Sequence, residues 1–204
     1  MPSARFFGHL GMFVAPGFID AAECNSVRRE MQLSPTAPAS ILDCKNNELT
    51  VDEVQRKTEA ATVSPETRAL VTARLMAIKP SLEKRFGVEL AGCEPPSFLV
   101  YKEGFYFLRH TDASRNPEAP VKFRQRRVSI SIFLNGEGGE DQPDTYGGGS
   151  IIFHRSPIAE LDAKHPGLAL TGEEGLLIGF DSFWQHEVQP INRGIRYSIV
   201  TWFA

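Results

Sequence analysis

At Pro96 the sequence changes period, and that change narrows the fold more than any other property of the chain. Downstream, short β-rich runs cover residues 97–101, 105–111, 128–134, 150–154, 176–180, 184–188 and 195–203, parted by Gly, Pro and Asp. Many short strands with turn-forming spacers argue for a sandwich or jelly roll. At 204 residues the chain has the length of one domain with a core of its own. The expected fold is mostly β with N-terminal helices, as a single domain over 1–204: a helical support region over about 1–95 and a jelly-roll core over about 96–204.

Two helical signals occupy the first half. Asp20-Ala-Ala-Glu23 has capping-box spacing and leads into a segment with Val27 and Met31 on one face, which predicts a helix over about 21–33. Ser64-Pro65 supplies an N-cap with Pro at the first helical position, after which Leu70, Ala73, Met76 and Ala77 recur at helical spacing. Pro80 is expected to kink or restart that helix before Gly87. The Pro/Ser-rich stretch 34–40 reads as a loop, and 113–127 and 136–148 read as long polar loops. Loops of such length are uncommon in a compact domain unless they cover a site.

Composition excludes several classes. With 22 Lys+Arg against 25 Asp+Glu the chain is weakly acidic, net −3, and carries no global signature for nucleic acid or an anionic membrane. Cys24, Cys44 and Cys93 form neither a CxxC pair nor a disulfide framework, which points to a reducing, cytoplasmic setting. The apolar stretch 6–19 is interrupted by His9 and Pro16 and does not have the pattern of a signal peptide. No run approaches the ~18 apolar residues of a membrane span.

The chemistry concentrates in Arg109-His110-Thr111-Asp112. On a strand, positions two apart face one way, so the His110 imidazole and the Asp112 carboxylate can converge on a metal. By itself so short a motif reads first as a surface pair with no ligand. His186, in a later β-rich run, adds a third ligand type. Two His and one carboxylate leave open positions on an octahedral metal, as in non-haem Fe(II) oxygenases, and zinc also accepts such ligands. Arg196 follows in the terminal strand. In an apolar pocket its guanidinium needs a carboxylate partner, and a bidentate acid ligand would supply one. Ser198 and Trp202 share its side of the strand. Taken singly, Arg196 reads as a surface arginine and Trp202 as core.

The ordered set resembles the Fe(II)- and 2-oxoglutarate-dependent dioxygenases, and within them the prolyl 4-hydroxylase catalytic domain. Phe13-Val-Ala-Pro-Gly-Phe-Ile-Asp-Ala-Ala-Glu-Cys24 resembles the family's entry into its first helix. Tyr101-x-x-Gly104-x-x-Phe107-x-x-His110-x-Asp112 resembles its first metal motif. Arg127-Val-Ser-Ile-Ser-Ile-Phe-Leu-Asn135, Gly148-Gly-Ser-Ile-Ile-Phe153, Phe180-x-Ser-x-x-x-His186-x-Val188-x-Pro190 and Arg196-x-Ser198-x-x-x-Trp202 follow in family order. The resemblance implies a double-stranded β-helix with helices packed on one sheet. It implies Fe(II) on His110, Asp112 and His186, and 2-oxoglutarate paired through its distal carboxylate with Arg196, assisted by Tyr101 and Ser198. Trp202 is a weaker candidate for shaping the substrate site.

The implied reaction is hydroxylation of an amino-acid side chain, foremost a prolyl residue in a peptide or protein, with O2 as the other cosubstrate, ascorbate as a candidate reductant, and release of succinate and CO2. With Asp112 in the carboxylate position, hydroxylation is favoured over halogenation. Phe133 stands where the hypoxia-inducible-factor prolyl hydroxylases have a Tyr that hydrogen-bonds the cosubstrate, so one polar contact is missing. Arg196 stands where the collagen-type enzymes use Lys, which places the similarity nearer the intracellular and bacterial branch. The competing readings are a free amino-acid hydroxylase, an AlkB-type nucleic-acid demethylase and a metal-holding module without catalysis. The basic cluster Lys122, Arg124, Arg126 and Arg127 motivates the demethylase, with solvated loop charge as its plain explanation. Trp202, where AlkB-type enzymes place a second arginine, argues against it. Glu137, Glu140, Asp141 and Asp144 form an acidic loop that could bridge to the basic one. His9, His154 and His165 lack a carboxylate at ligand spacing, and Gly147-Gly-Gly149 is too short for a phosphate cradle.

Overall fold

The computed structural model of the chain describes residues 6, 9–43, 46, 48–139, 141–154 and 167–204. Cys44, Glu140 and His165 lie outside the described residues. In chain order the first half contains β1 (Phe13–Ala15), α1 (Ala21–Leu33), β2 (Thr36–Pro38), β3 (Ile41–Asp43), β4 (Glu48–Thr50), β5 (Arg56–Lys57), β6 (Glu59–Ala61) and α2 (Pro65–Phe86). The second half contains β7 (Ser97–Tyr101), β8 (Tyr106–His110), α3 (Val121–Gln125), β9 (Val128–Phe133), β10 (Gly147–Gly148), β11 (Ile151–Phe153) and β12 (Leu168–Leu170). It continues with β13 (Leu177–Asp181), β14 (His186–Val188), β15 (Ile191–Arg193) and β16 (Arg196–Phe203).

Two sheets face each other as a jelly roll. The larger has the order β1-β13-β9-β16-β7-β6-β2 and the smaller β12-β11-β14-β8-β5, with two-stranded ladders β10-β15 and β3-β4 beside them. Alternation sends each strand's side chains to two destinations. From the larger sheet Phe98, Val100, Val128, Ile130, Ile132, Ile199 and Phe203 pack beneath the helices with Cys24, Met31, Val71, Leu75 and Leu82. The opposite face sends Leu99, Tyr101, Phe133, Ile178 and Phe180 against Ile151, Phe153, Trp184 and Val188 of the inner core. The inner core encloses the site.

Both helix starts form as their caps require. Asp20 and Glu23 close a reciprocal capping box, and Ser64 accepts from the Thr67 amide at 3.2 Å ahead of Pro65. Gly87, at φ 67°, ends α2 in the left-handed conformation. The face and the interruption of α2 differ from expectation. Leu70, Ala73, Met76 and Ala77 are all exposed, and the buried stripe is Val71, Leu75 and Leu82 with Ile78 and Phe86 beside it. The two stripes have similar spacing, and only the sheet beneath decides which one is covered. Pro80 does not end the helix, which runs unbroken to Phe86. It sits on the exposed side, where the Met76 carbonyl that loses its amide partner can be hydrated.

The stretch before residue 96 is not helical throughout. β1, β2 and β6 extend the larger sheet, and the Pro/Ser-rich stretch expected to be a loop contains β2, paired with β6. Pro38 is tolerated because β2 is an edge strand. The loop expected at 113–127 contains the short helix α3. Cys24 is buried and Cys93 half-buried, both free. No helix among the described residues is long and apolar enough to cross a membrane.

Candidate active site

His110 ends β8 and His186 begins β14, and the two are direct antiparallel partners. The same ladder pairs Val188 with Phe107, so β8 carries a residue more than its partner between the two pairs. This bulge turns His110 onto the face of Phe107, whose ring stacks on the imidazole at 3.5 Å, rather than the face that strict alternation would assign. Asp112 is not on the strand as expected but in the bend after it, where its amide and that of Ala113 both donate to the Ser182 carbonyl at 3.0 Å. A turn thus achieves the convergence that strand parity was expected to provide.

The Asp112 carboxylate lies between the two imidazoles, 3.6 Å from His110 Nε2 through Oδ1 and 3.6 Å from His186 Nε2 through Oδ2. One ligand atom from each of the three residues falls within 4.8 Å of the others. His110 Nδ1 is 2.8 Å from the Leu108 carbonyl and His186 Nδ1 is 2.9 Å from that of Trp184. A carbonyl can only accept, so each Nδ1 carries a proton, which leaves Nε2 as the nitrogen that could bind a metal. Burial is the largest influence on Asp112 and alone would raise its carboxyl. The neighbouring His186 and His110, with the Ser129 hydroxyl, outweigh it and hold the group well below the usual carboxylate range. Burial, reinforced by His110, lowers His186 to about 4. At neutral pH the set is therefore an anionic carboxylate with a neutral His186, the forms that bind metal.

Arg196 pairs with Tyr101 across β16 and β7, and it is 1% exposed. Its guanidinium lies over the Tyr101 ring at 5.3 Å and the Phe133 ring at 4.7 Å, and Nη1 donates to the Gly149 carbonyl at 2.7 Å. Gly149 can offer that carbonyl because it has no side chain: at φ 66° a Cβ there would meet Ile191 at 2.2 Å. Among the described residues Arg196 Nε, Ser198 Oγ and Tyr146 Oη are buried without hydrogen-bond partners. A buried cation answered only by a neutral carbonyl, beside two orphaned hydroxyls, fits a carboxylate ligand.

Tyr146 is a residue that sequence reasoning missed. It is fully buried, packs in the inner core with Phe133, and has its hydroxyl titration raised, first by burial and then by Glu137, with Arg196 and the neighbouring Gly172 backbone pulling the other way. Its only signal in the sequence is a lone Tyr ahead of a glycine run. Trp202 is half-buried, and the Arg126 guanidinium covers its ring at 3.6 Å. The basic cluster divides: Lys122, Arg124 and Arg127 are exposed, whereas Arg126 is buried against Glu94. In the acidic loop Asp144 pairs with Arg28 of α1 at 3.8 Å, not with the basic loop. His154 faces Glu187, with Nε2 3.1 Å from its carboxylate, and His9 is exposed.

Comparison with known proteins agrees with this arrangement. The sequence model of the 2OG-Fe(II) oxygenase superfamily matches residues 96–204. A PKHD-type hydroxylase of Pseudomonas putida strain W619 is 30% identical over 109 residues, 53% of this chain and 42% of the relative. The chain therefore aligns with well under half the length of such curated relatives. Among solved structures, a Pseudomonas putida prolyl-4-hydroxylase superposes with a TM-score of 0.67 at 22% identity, covering 95% of this chain and 91% of the other. A Trichoplax adhaerens prolyl hydroxylase in complex with a hypoxia inducible factor oxygen degradation domain peptide fragment gives 0.65 at 18% identity, covering 95% and 83%. These likenesses show the fold. With the family match spanning the jelly-roll core that carries the His-Asp-His cluster and Arg196, the chain belongs to the 2OG-Fe(II) oxygenase superfamily.

Proposed function

We propose that the chain is an Fe(II)- and 2-oxoglutarate-dependent oxygenase that hydroxylates an amino-acid side chain, foremost a prolyl residue in a peptide or protein. The observation that carries this reading is a metal-ligand set of two His and one Asp on the same inner core as a buried Arg that has no carboxylate partner among the described residues. His110, Asp112 and His186 would hold the metal on one side and leave the other open to ligands. Arg196 would take the distal carboxylate of 2-oxoglutarate, with Ser198 and Tyr146 donating their orphaned hydroxyls and Tyr101 walling the pocket. In this reading Tyr146 supplies the contact that Phe133 cannot. Iron with 2-oxoglutarate supplies O2 activation coupled to decarboxylation of the keto acid, which yields succinate and CO2. The chain orients both ligands, and the aromatic rings around the site exclude water.

A peptide or protein substrate is favoured because the structural neighbours include prolyl hydroxylases, one in complex with a peptide fragment. The nucleic-acid reading is weakened, since Arg126 is withdrawn from the basic cluster by Glu94 and only Lys122, Arg124 and Arg127 remain exposed.

The test is anaerobic loading with Fe(II), then 2-oxoglutarate, air and a panel of proline-containing peptides, with succinate and peptide mass as readouts. Succinate should form and a peptide should gain one oxygen, and Asp112→Ala should abolish both. No 2-oxoglutarate turnover with peptides, free amino acids or no substrate would overturn the proposal.

A further inference from the structure

Arg126 is a buried cation outside the cluster itself, with all three guanidinium nitrogens engaged. It is 5% exposed, and it meets Glu94 as a planar fork, Nε to Oε1 at 2.5 Å and Nη2 to Oε2 at 2.8 Å. Its remaining arm, Nη1, donates to the backbone carbonyl of Asp112 at 3.0 Å. The guanidinium is sandwiched by rings, 3.6 Å from the Trp202 centroid and 4.3 Å from that of Phe123. Glu94 is itself fixed to β16, since its amide donates to the Trp202 carbonyl at 2.8 Å and its carbonyl accepts from the Thr201 hydroxyl at 2.6 Å. On the other side Ser182 receives the Asp112 amide and donates its own to the Arg127 carbonyl at 3.1 Å. The peptide units flanking Asp112 are thus held from both sides by groups rooted in the larger sheet.

We propose that Arg126, oriented by Glu94 and Trp202, is a positioning residue that sets the placement of the Asp112 carboxylate toward the metal. This rests on the metal-site reading given above. An ion pair that only stabilised the fold would need no third arm on the backbone carbonyl of Asp112. Lysine could not reproduce the contact, because one ammonium cannot bridge a carboxylate and a carbonyl in a plane while stacking between two rings. Outer groups that orient metal ligands carry about 10–100-fold of metal affinity.

The test uses Co(II) as the probe, titrated calorimetrically into the full chain, with its visible absorption as a second readout. Arg126→Lys and Glu94→Gln should raise the Co(II) Kd by about 10-fold or more and alter the absorption bands. Leu82→Ala, in the helix-side core, should lower Tm and leave Kd and spectrum unchanged. Glu94→Gln keeps the shape of the pair and maintains the comparison where Arg126→Lys does not fold. Co(II) binding by both clamp variants within about twofold of wild type, well short of that range, overturns the positioning role while the metal site stands. A wild-type chain that binds no Co(II) overturns both.

Discussion

The hydroxyl of Tyr146 is buried without a partner beside a cation, and these facts pull in opposite directions for stability and for binding. An unsatisfied buried hydroxyl destabilises the ligand-free fold, whereas a hydroxyl donating to a carboxylate strengthens binding. Tyr146→Phe should therefore raise the stability of the ligand-free protein by about 1 kcal/mol and weaken 2-oxoglutarate binding by about tenfold. Chemical denaturation and a titration of the Mn(II)-loaded protein measure the two effects. A loss of stability, or unchanged affinity, would show that the hydroxyl does not face the cosubstrate. As chemical candidates, His110, Asp112, His186, Arg196 and Ser198 were legible in the sequence because their types and order are specific. Tyr146, Glu94 and Arg126 were not, because their roles come from contacts between segments distant along the chain.

At the scale of elements, α2 carries a proline that its position tolerates but does not favour. A proline inside a helix costs up to about 3 kcal/mol relative to alanine. Pro80 is exposed, and both flanking turns continue as helix. Pro80→Ala should stabilise the protein by about 1–3 kcal/mol without changing metal affinity, read from denaturant midpoints and a Co(II) titration. A loss of stability would mean that the proline ring itself helps to seat Leu75 and Leu82 on the sheet. The helix starts were readable because caps are local chemistry, whereas the buried stripe was not. Leu70, Ala73, Met76 and Ala77 and the true face, Val71, Leu75 and Leu82, have comparable spacing. Likewise the bulge in β8 leaves no mark in the sequence, yet it turns His110 toward its partners.

For the whole molecule, the His110-Asp112-His186 cluster joins neighbouring strands of the smaller sheet to a loop tied to the larger one. A metal that binds the folded state alone stabilises it by about 2.7 kcal/mol at a hundredfold excess over Kd. For a chain of 204 residues that is a rise in Tm of roughly 5–10 °C. Scanning calorimetry with and without Mn(II) measures it, chelator should reverse it, and Asp112→Ala should show none. An equal rise in Asp112→Ala would place the metal elsewhere. The amino-acid sequence by itself determined the class of fold, the helix starts and which side chains are chemically able to hold iron and a diacid, because these follow from periodicity, capping and residue type. Only the tertiary structure decided that β2 joins an edge, that Asp112 arrives by a turn, and that Arg126 turns inward to Glu94 and the Asp112 carbonyl rather than to the solvent. Those outcomes depend on which surfaces meet, and burial, bulges and ion pairs between remote segments exist only once the sheets have closed.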